Sequence, residues 1–340
     1  MIDWITARLV CTHNPDVLNS GHVVALKQDG SVDWHTAKRL SVVGSYDSSI
    51  TVRSHTDGVI EISGNPAKFL QGHNVFGTND LKYLMAKFFD RLCMYEELQL
   101  KPTYEEYEAV QEGKYHLTRV DVNEHFAFET EQLAKSWLRA CGRTATMKYR
   151  GPAVFKGETA YFSPASRRIV SKIYHKADEI TSTDKKHRLP EKLLQIPELM
   201  EYAKRSLRFE LKLFSTQLKD WHLHLGCNWS PEVATMLIKE QFLDKLELSA
   251  NMALDSEVLN SLPKNLRLTY AAWASGEDLR AVLSRPTFYR YKDKFKEYGI
   301  DISIVQDDQN KLSNVIPMIR YVEASPMGIP DWAYEKGLVA

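Results

Sequence analysis

Three short segments of this chain carry ionisable side chains two residues apart. Arg119-Val120-Asp121 is one and Arg208-Phe209-Glu210 is another; Lys172 and Tyr174 repeat the spacing in a third, followed by Lys176. In an extended strand, residues i and i+2 point to one face. If the three segments are neighbouring strands, two carboxylates, a phenol and several cations meet on one surface. Phosphodiester cleavage has a use for each group. Two carboxylates, Asp121 and Glu210, can hold Mg²⁺ or Mn²⁺ through oxygen, and the cation polarises the phosphate. Arg119, Arg208 and Lys176 can grip non-bridging oxygens. Tyr174 can attack phosphorus, provided that a nearby cation, base or metal favours its phenolate over a phenol of pKa ~10. Such an attack leaves a phosphotyrosine that conserves the bond energy, so that a later DNA hydroxyl reseals the strand without ATP. The same spacings also describe cross-strand ion pairs on a solvated face and a strand tyrosine that merely packs. His222-Leu223-His224 offers two imidazoles for a metal or an ordinary surface pair, and His125, four residues beyond Asp121, is a further candidate.

The elements that must position these groups are legible in part. Val23 to Gln28, Ile50 to Ser54 and Val59 to Ser63 read as strands, with hairpin turns at Asp29-Gly30 and Asp57-Gly58. Leu81 to Leu98 and Thr130 to Ala140 have helical spacing. Tyr115 to Phe128, Ala145 to Arg150, Thr159 to Phe162 and Arg168 to Tyr174 read as strands. In Leu207 to Phe214, Leu207, Phe209, Leu211 and Leu213 alternate with Arg208, Glu210 and Lys212. The mixture predicts an α+β fold, with a central antiparallel sheet covered by helices. The 340 residues divide into a catalytic domain (1–230), a helical region (231–300) and a tail (301–340).

Composition sets the bounds. Apolar residues make up 44% and charged residues 26%, enough to bury a sizeable core. No apolar run approaches the ~20 residues of a membrane span, and Met1 to Val10 has no signal-peptide character, which points to the cytoplasm. Cys11, Cys93, Cys141 and Cys227 lack the paired spacing of a zinc site and are expected to be reduced thiols. Formal net charge is zero, but Pro164 to Lys219 carries an excess of six positive charges and Leu266 to Ile300 an excess of three. Local basic surface, not the global sum, holds phosphates.

The second basic stretch has a helix-turn-helix rhythm. A first helix closes at Trp273, Gly276 turns the chain, Glu277 to Leu283 forms a short helix, and Pro286 opens a longer one stopped at Gly299. Phe288, Tyr291 and Phe295 are expected inward. Arg285, Thr287, Arg290, Lys292 and Lys294 are the residues expected to meet DNA, since the first turns of a recognition helix face the major groove. An ordinary basic helical hairpin has the same pattern.

The run Asn65-Pro-Ala-Lys-Phe-Leu-Gln-Gly-His-Asn-Val-Phe-Gly-Thr-Asn-Asp-Leu81 resembles the matching stretch of the filamentous-phage gene II replication initiators. Arg119-Val-Asp121, Ile173-Tyr-His-Lys176, Leu207-Arg-Phe-Glu210 and Thr287-Phe-Tyr-Arg-Tyr-Lys292 follow in the family's order. The resemblance implies a rolling-circle initiator that nicks one strand of the supercoiled double-stranded phage origin. It implies covalent attachment to the 5′ end, a Mg²⁺ requirement, work with a host helicase and replication machinery, self-association on the origin, and rejoining of the displaced strand. It places the nucleophile on Tyr174, with Lys176 beside it, and the acids on Asp121 and Glu210. His73, in the shared Gln71-Gly-His-Asn74 loop, is expected to be a metal ligand or a turn residue. Many rolling-circle nickases use a histidine pair, but here His222 and His224 follow the tyrosine. Two rival readings are an origin-binding repressor or accessory protein and a metal nuclease that uses water.

Overall fold

The computed structural model describes residues 1–44, 48–184, 187–248, 259, 262–275, 277–298, 300, 302–303 and 326–339. Its strands are β1 (Ile2–Val10), β2 (His22–Leu26), β3 (Val32–Ala37), β4 (Leu40–Val43), β5 (Ser49–Thr56), β6 (Val59–Gly64), β7 (His116–Ala127), β8 (Ala145–Met147), β9 (Gly151–Pro152), β10 (Val154–Phe155), β11 (Thr159–Phe162), β12 (Ile169–His175), β13 (Ser206–Phe214) and β14 (Leu246–Leu248). Nine of them form one sheet in the order β10-β11-β12-β13-β7-β1-β6-β5-β4, antiparallel throughout. The expected α+β architecture is what the chain adopts.

Alternation along the middle strands sorts the sheet into two faces. Leu207, Phe209, Leu211 and Leu213 of β13 join Val120, Val122 and Phe126 of β7 and Ile5, Ala7 and Leu9 of β1 in the main core. The helix Glu131–Thr144 covers this face through Trp137, whose ring centre lies 5.7 Å from that of Phe209. The opposite residues of the same strands are polar and charged.

β1 runs through the middle of the sheet, between β7 and β6, although it is not among the strands expected from the sequence. A register shift between Ile2 and Trp4 interrupts its pairing with β7, while Ile5, Ala7 and Leu9 beyond it alternate into the core. The helix Pro231–Gln241 was expected to open a separate helical region. Instead Ala234, Leu237, Ile238, Phe242 and Leu246 lie in the main core, and Leu246–Leu248 pairs with β8. The segment is amphipathic, and its apolar side finds the sheet face left uncovered elsewhere.

A second core holds Leu262, Leu266, Tyr270, Trp273, Leu279, Phe288, Tyr291, Phe295, Ile300 and Ile302. It joins the helices Lys264–Ala274, Leu279–Val282 and Arg285–Lys296. The three expected inward aromatics are buried. Val282 is exposed, and the longer helix begins at Arg285, one residue before Pro286. Gly276 and Gly299 lie outside the described residues.

The expected tail, 301–340, returns to the first domain over residues 326–339. The Met327 amide donates to the His125 carbonyl at 2.9 Å, Trp332 packs on Phe76, and Ala333 and Leu338 are buried with Val75 and Phe76. His73 is sealed in here, fully buried, with its ring edge-on to Phe76 and beside the Leu338 backbone. Burial lowers its pKa to about 4, helped by Lys176 and Arg208. Among the described residues no helix is long and apolar enough to cross a membrane, and the four cysteines are free thiols.

Two outcomes follow from this packing. Phe242 is fully buried against Phe209 and Phe162, so Phe242→Ala should destabilise the sheet domain by about 3–5 kcal/mol in denaturant titrations. An unmoved transition would make the segment after 231 an independent module. His73 contributes an acid limb. Above its ordinary pKa of 6.5 the ring is neutral whether the chain is folded or not. As pH falls from 6.5 towards 4, the unfolded chain binds a proton that the folded one refuses, and stability drops by up to about 3 kcal/mol. His73→Gln should flatten the stability–pH curve over that window; an unchanged slope would show that the ring titrates freely.

Candidate active site

β12, β13 and β7 are adjacent, as the spacing argument required. Their register aligns Tyr174 with Arg208 and Lys172 with Glu210, then Arg208 with His125, Glu210 with Asn123 and Lys212 with Asp121. All of these side chains share the polar face of the sheet. Tyr174 Oη donates to Glu210 Oε2 at 3.0 Å. Lys172 Nζ lies 2.9 Å from Glu210 Oε1 and 4.7 Å from the centre of the Tyr174 ring. Arg119 grips both Asp121 oxygens, through Nε at 2.8 Å and a terminal nitrogen at 2.5 Å, while its guanidinium stacks on Trp4 of β1.

Burial sets the electrostatics. Asp121 is 2% exposed, Glu210 3% and Tyr174 5%. Burial pushes the Asp121 carboxyl up to about 6; Arg119 opposes the shift and the Glu210 charge adds to it. Burial also holds the Tyr174 phenol well above its ordinary 10, and Glu179 and Glu210 push it further. The resting nucleophile candidate is therefore a neutral phenol hydrogen-bonded to a carboxylate. Burial works against the Lys172 ammonium, but Glu210 overrides it and raises the pKa. A cleft of about 320 Å³ opens on Tyr174 and Lys172, lined also by Lys156, Glu158, Tyr161, Glu179 and His187 among others. Asp121 and Glu210 present oxygen only. That donor chemistry fits a hard divalent cation such as Mg²⁺ or Mn²⁺.

Two of the cations expected at the phosphate are committed elsewhere. Arg208 is fully buried. Its Nε donates to His125 Nε2 at 2.9 Å, one terminal nitrogen lies 3.4 Å from Asp3, and the other reaches the Asn74 carbonyl. Lys176 is also fully buried: β12 ends at His175, so Lys176 opens the next helix and turns inward to Asn74 Oδ1 at 3.0 Å and to Glu179. Burial, with Arg208 nearby, lowers its pKa to about 8. Neither reaches open surface, so both brace the site from beneath. Arg119, Lys172 and Lys212 on the same sheet face are half-buried.

The brace explains the long shared run. Asn65 and Asn74 both donate to Asp3 Oδ1, at 2.8 and 2.9 Å. Gln71 holds the loop by donating to the carbonyls of His73 and Phe76, and Gly72 takes the left-handed backbone (φ +85) that ends the preceding helix. His73 does not join Asp121 and Glu210: the charged groups facing it are the cations Lys176 and Arg208, which would repel a metal ion. His125 is likewise engaged, since its Nε2 accepts from Arg208 and its Nδ1 contacts Ser206. His222 sits exposed in a turn at φ +57, whereas His224 packs on His116, so the two imidazoles part. A compact set of ligand-type side chains also occurs at Glu131, His175 and Asp178, where Lys135 Nζ bridges the two acids at 3.0 and 2.9 Å, much as Arg119 and Lys172 engage Asp121 and Glu210.

In the helical module, Arg285, Arg290 and Lys294 are exposed, as is Tyr289. Thr287 is half-buried, its hydroxyl bonded to Ser284. Lys292 is half-buried, with Nζ 3.1 Å from Ser303. Asp3, Asn74 and Asn123 were missed by sequence reasoning. The repeated Asn-to-Asp3 contacts carry no local pattern, but Asn123 stands two residues past Asp121 on the same strand face.

Residues 1–232 match the family model for the N-terminal region of the phage replication-associated protein, the gene II product, and residues 254–339 match the model for its C-terminal region. The replication-associated protein of this kind from Enterobacteria phage I2-2 is 41% identical over 338 residues, spanning 97% of this chain and 96% of the relative. That of Enterobacteria phage M13 is 24% identical over 374 residues, spanning 90% and 88%. A solved structure, the rolling circle replication initiator protein from Geobacillus stearothermophilus, aligns with TM-score 0.33 and 12% identity, over 75% of this chain and 88% of that one; the likeness is too distant to assign any residue. The chain therefore belongs to the gene II family of replication-associated proteins, the filamentous-phage replication initiators that its sequence resembles.

Proposed function

We propose that this protein initiates rolling-circle replication by nicking one strand of a supercoiled double-stranded phage origin with Tyr174. The observation that carries the reading is the phenol of Tyr174 bonded to Glu210 Oε2, beside Asp121, on a sheet face rimmed by cations. Tyr174 Oη attacks phosphorus while its proton passes to Glu210. The bond from phosphorus to the 3′ oxygen breaks, and that oxygen leaves as a 3′ hydroxyl once protonated. The 5′ phosphate stays on Tyr174. In the reverse sense, a 3′ hydroxyl gives its proton to water as it attacks the phosphotyrosine, Glu210 returns its proton to the leaving phenol, and the displaced strand is joined.

Asp121 and Glu210 are the residues that would hold Mg²⁺ or Mn²⁺, which supplies charge neutralisation at the phosphate. Arg119 and Lys172 hold the two carboxylates apart and balance them, and both lie close enough to the surface to meet phosphate oxygens. Farther along the same face, Glu61 is ringed by Arg8, Arg39 and Arg53, which leaves an excess of positive charge for a DNA backbone. Arg285, Arg290 and Lys294 of the helical module would read the origin in the major groove, with Thr287 and Lys292 flanking them. In this reading the protein works in the host bacterial cytoplasm, where a host helicase unwinds the nicked duplex, the replication machinery extends the 3′ end, and copies of the protein gather on the origin.

Incubation with supercoiled origin DNA and Mg²⁺ should give nicked circles with protein on the 5′ end. Tyr174→Phe should abolish attachment and keep origin binding. Nicking without attachment would indicate a nuclease that uses water, and intact DNA a repressor. Glu210→Gln should slow nicking by about 10²–10⁴-fold with binding retained; an unchanged rate would remove Glu210 as the proton acceptor. Arg290→Ala should weaken origin binding in gel-shift titrations by about 1–3 kcal/mol, while cleavage of a short single-stranded origin oligonucleotide stays unchanged. Equal origin affinity would take the last helix off the DNA.

A further inference from the structure

Asn123 is fully buried on the polar face of the sheet. It stands two residues from Asp121 on β7 and directly across from Glu210 on β13. Neither its amide oxygen nor its amide nitrogen has a hydrogen-bond partner. Buried amides are almost always satisfied, because an unpaired one loses its hydration without return. The neighbouring polar groups are engaged with other partners. Both Asp121 oxygens are taken by Arg119, Glu210 is taken by Lys172 and Tyr174, and His125 by Arg208 and Ser206.

We propose that the Asn123 side-chain oxygen is a third protein ligand of the divalent cation held by Asp121 and Glu210; this rests on the metal-assisted reading of the site above. Hard cations take six or more oxygen ligands, and amide carbonyls are among them. A neutral ligand also fits the charge balance. Arg119 and Lys172 already engage the two carboxylates, so a third acid is not needed for charge and would set more negative charge against the phosphate to be cut. Asn123 adds an oxygen without adding that charge.

The test needs neither DNA nor activity. Mn²⁺ is titrated into the DNA-free full chain while the free ion is followed by electron paramagnetic resonance. Asn123→Ala should weaken binding by about tenfold, and Asn123→Asp should restore or tighten it. Without metal, Asn123→Ala should melt at or above the wild-type temperature, since it removes an unpartnered amide. Wild-type Mn²⁺ affinity in Asn123→Ala, with Asp121→Asn weakened, overturns the role of Asn123 and leaves the two-carboxylate site standing. Wild-type affinity in both variants removes the two-carboxylate site as well. If Asn123→Ala both melts lower and binds more weakly, Asn123→Asp decides: restored affinity supports the ligand role, and affinity that stays low overturns it.

Discussion

The period of β13 is the constraint from which the site follows. Leu207, Phe209, Leu211 and Leu213 must lie in the core, so Arg208, Glu210 and Lys212 must face away from it. A slip of one residue would drive a carboxylate and two cations into apolar packing, which makes the register costly to change. Because β12 and β7 pair with β13 on either side, its register also decides which residues meet. Tyr174 meets Glu210 because Ile173 is held opposite Phe209. Chemistry on one face is thus positioned by apolar contacts on the other.

The polar face is layered by depth. Beneath it, Asp3, Asn65, Asn74, Lys176 and Arg208 form a buried network that ties the N-terminal strand to a loop and to the end of β12. Above it, Arg119 and Lys172 neutralise the two acids while staying near solvent. Fully buried charge is costly unless paired and hydrogen-bonded, and here nearly every member has partners. Such a network resists displacement and so holds the phenol and its acceptor in one geometry. Burial keeps the phenol protonated at rest, so the proposed attack requires that its proton be taken up by a neighbour.

Much of this was legible in the residues. The alternation in β13 and the two-residue spacings in β7 and β12 located the site, and the run from Asn65 to Leu81 pointed to the family. Periodicity gives the face a side chain points to; it does not say what covers that face. Arg208 and Lys176 therefore read as surface cations, although a loop remote in sequence closes over them through Asn74. Residues 231–248 and 326–339 were read by local pattern as a helical region and a tail, because their docking depends on apolar surface left open by distant segments, such as Phe209 for Phe242 and Phe76 for Trp332.

The claim that one phenol is the point of attachment can be read directly. After reaction with an origin oligonucleotide and Mg²⁺, the covalent adduct is digested with protease and nuclease, and the peptide bearing the residual nucleotide is sequenced by mass spectrometry. The nucleotide should sit on Tyr174, in the peptide that contains Ile173 and His175. A nucleotide on Tyr161 or on any other residue would contradict the assignment and the sheet-face mechanism with it.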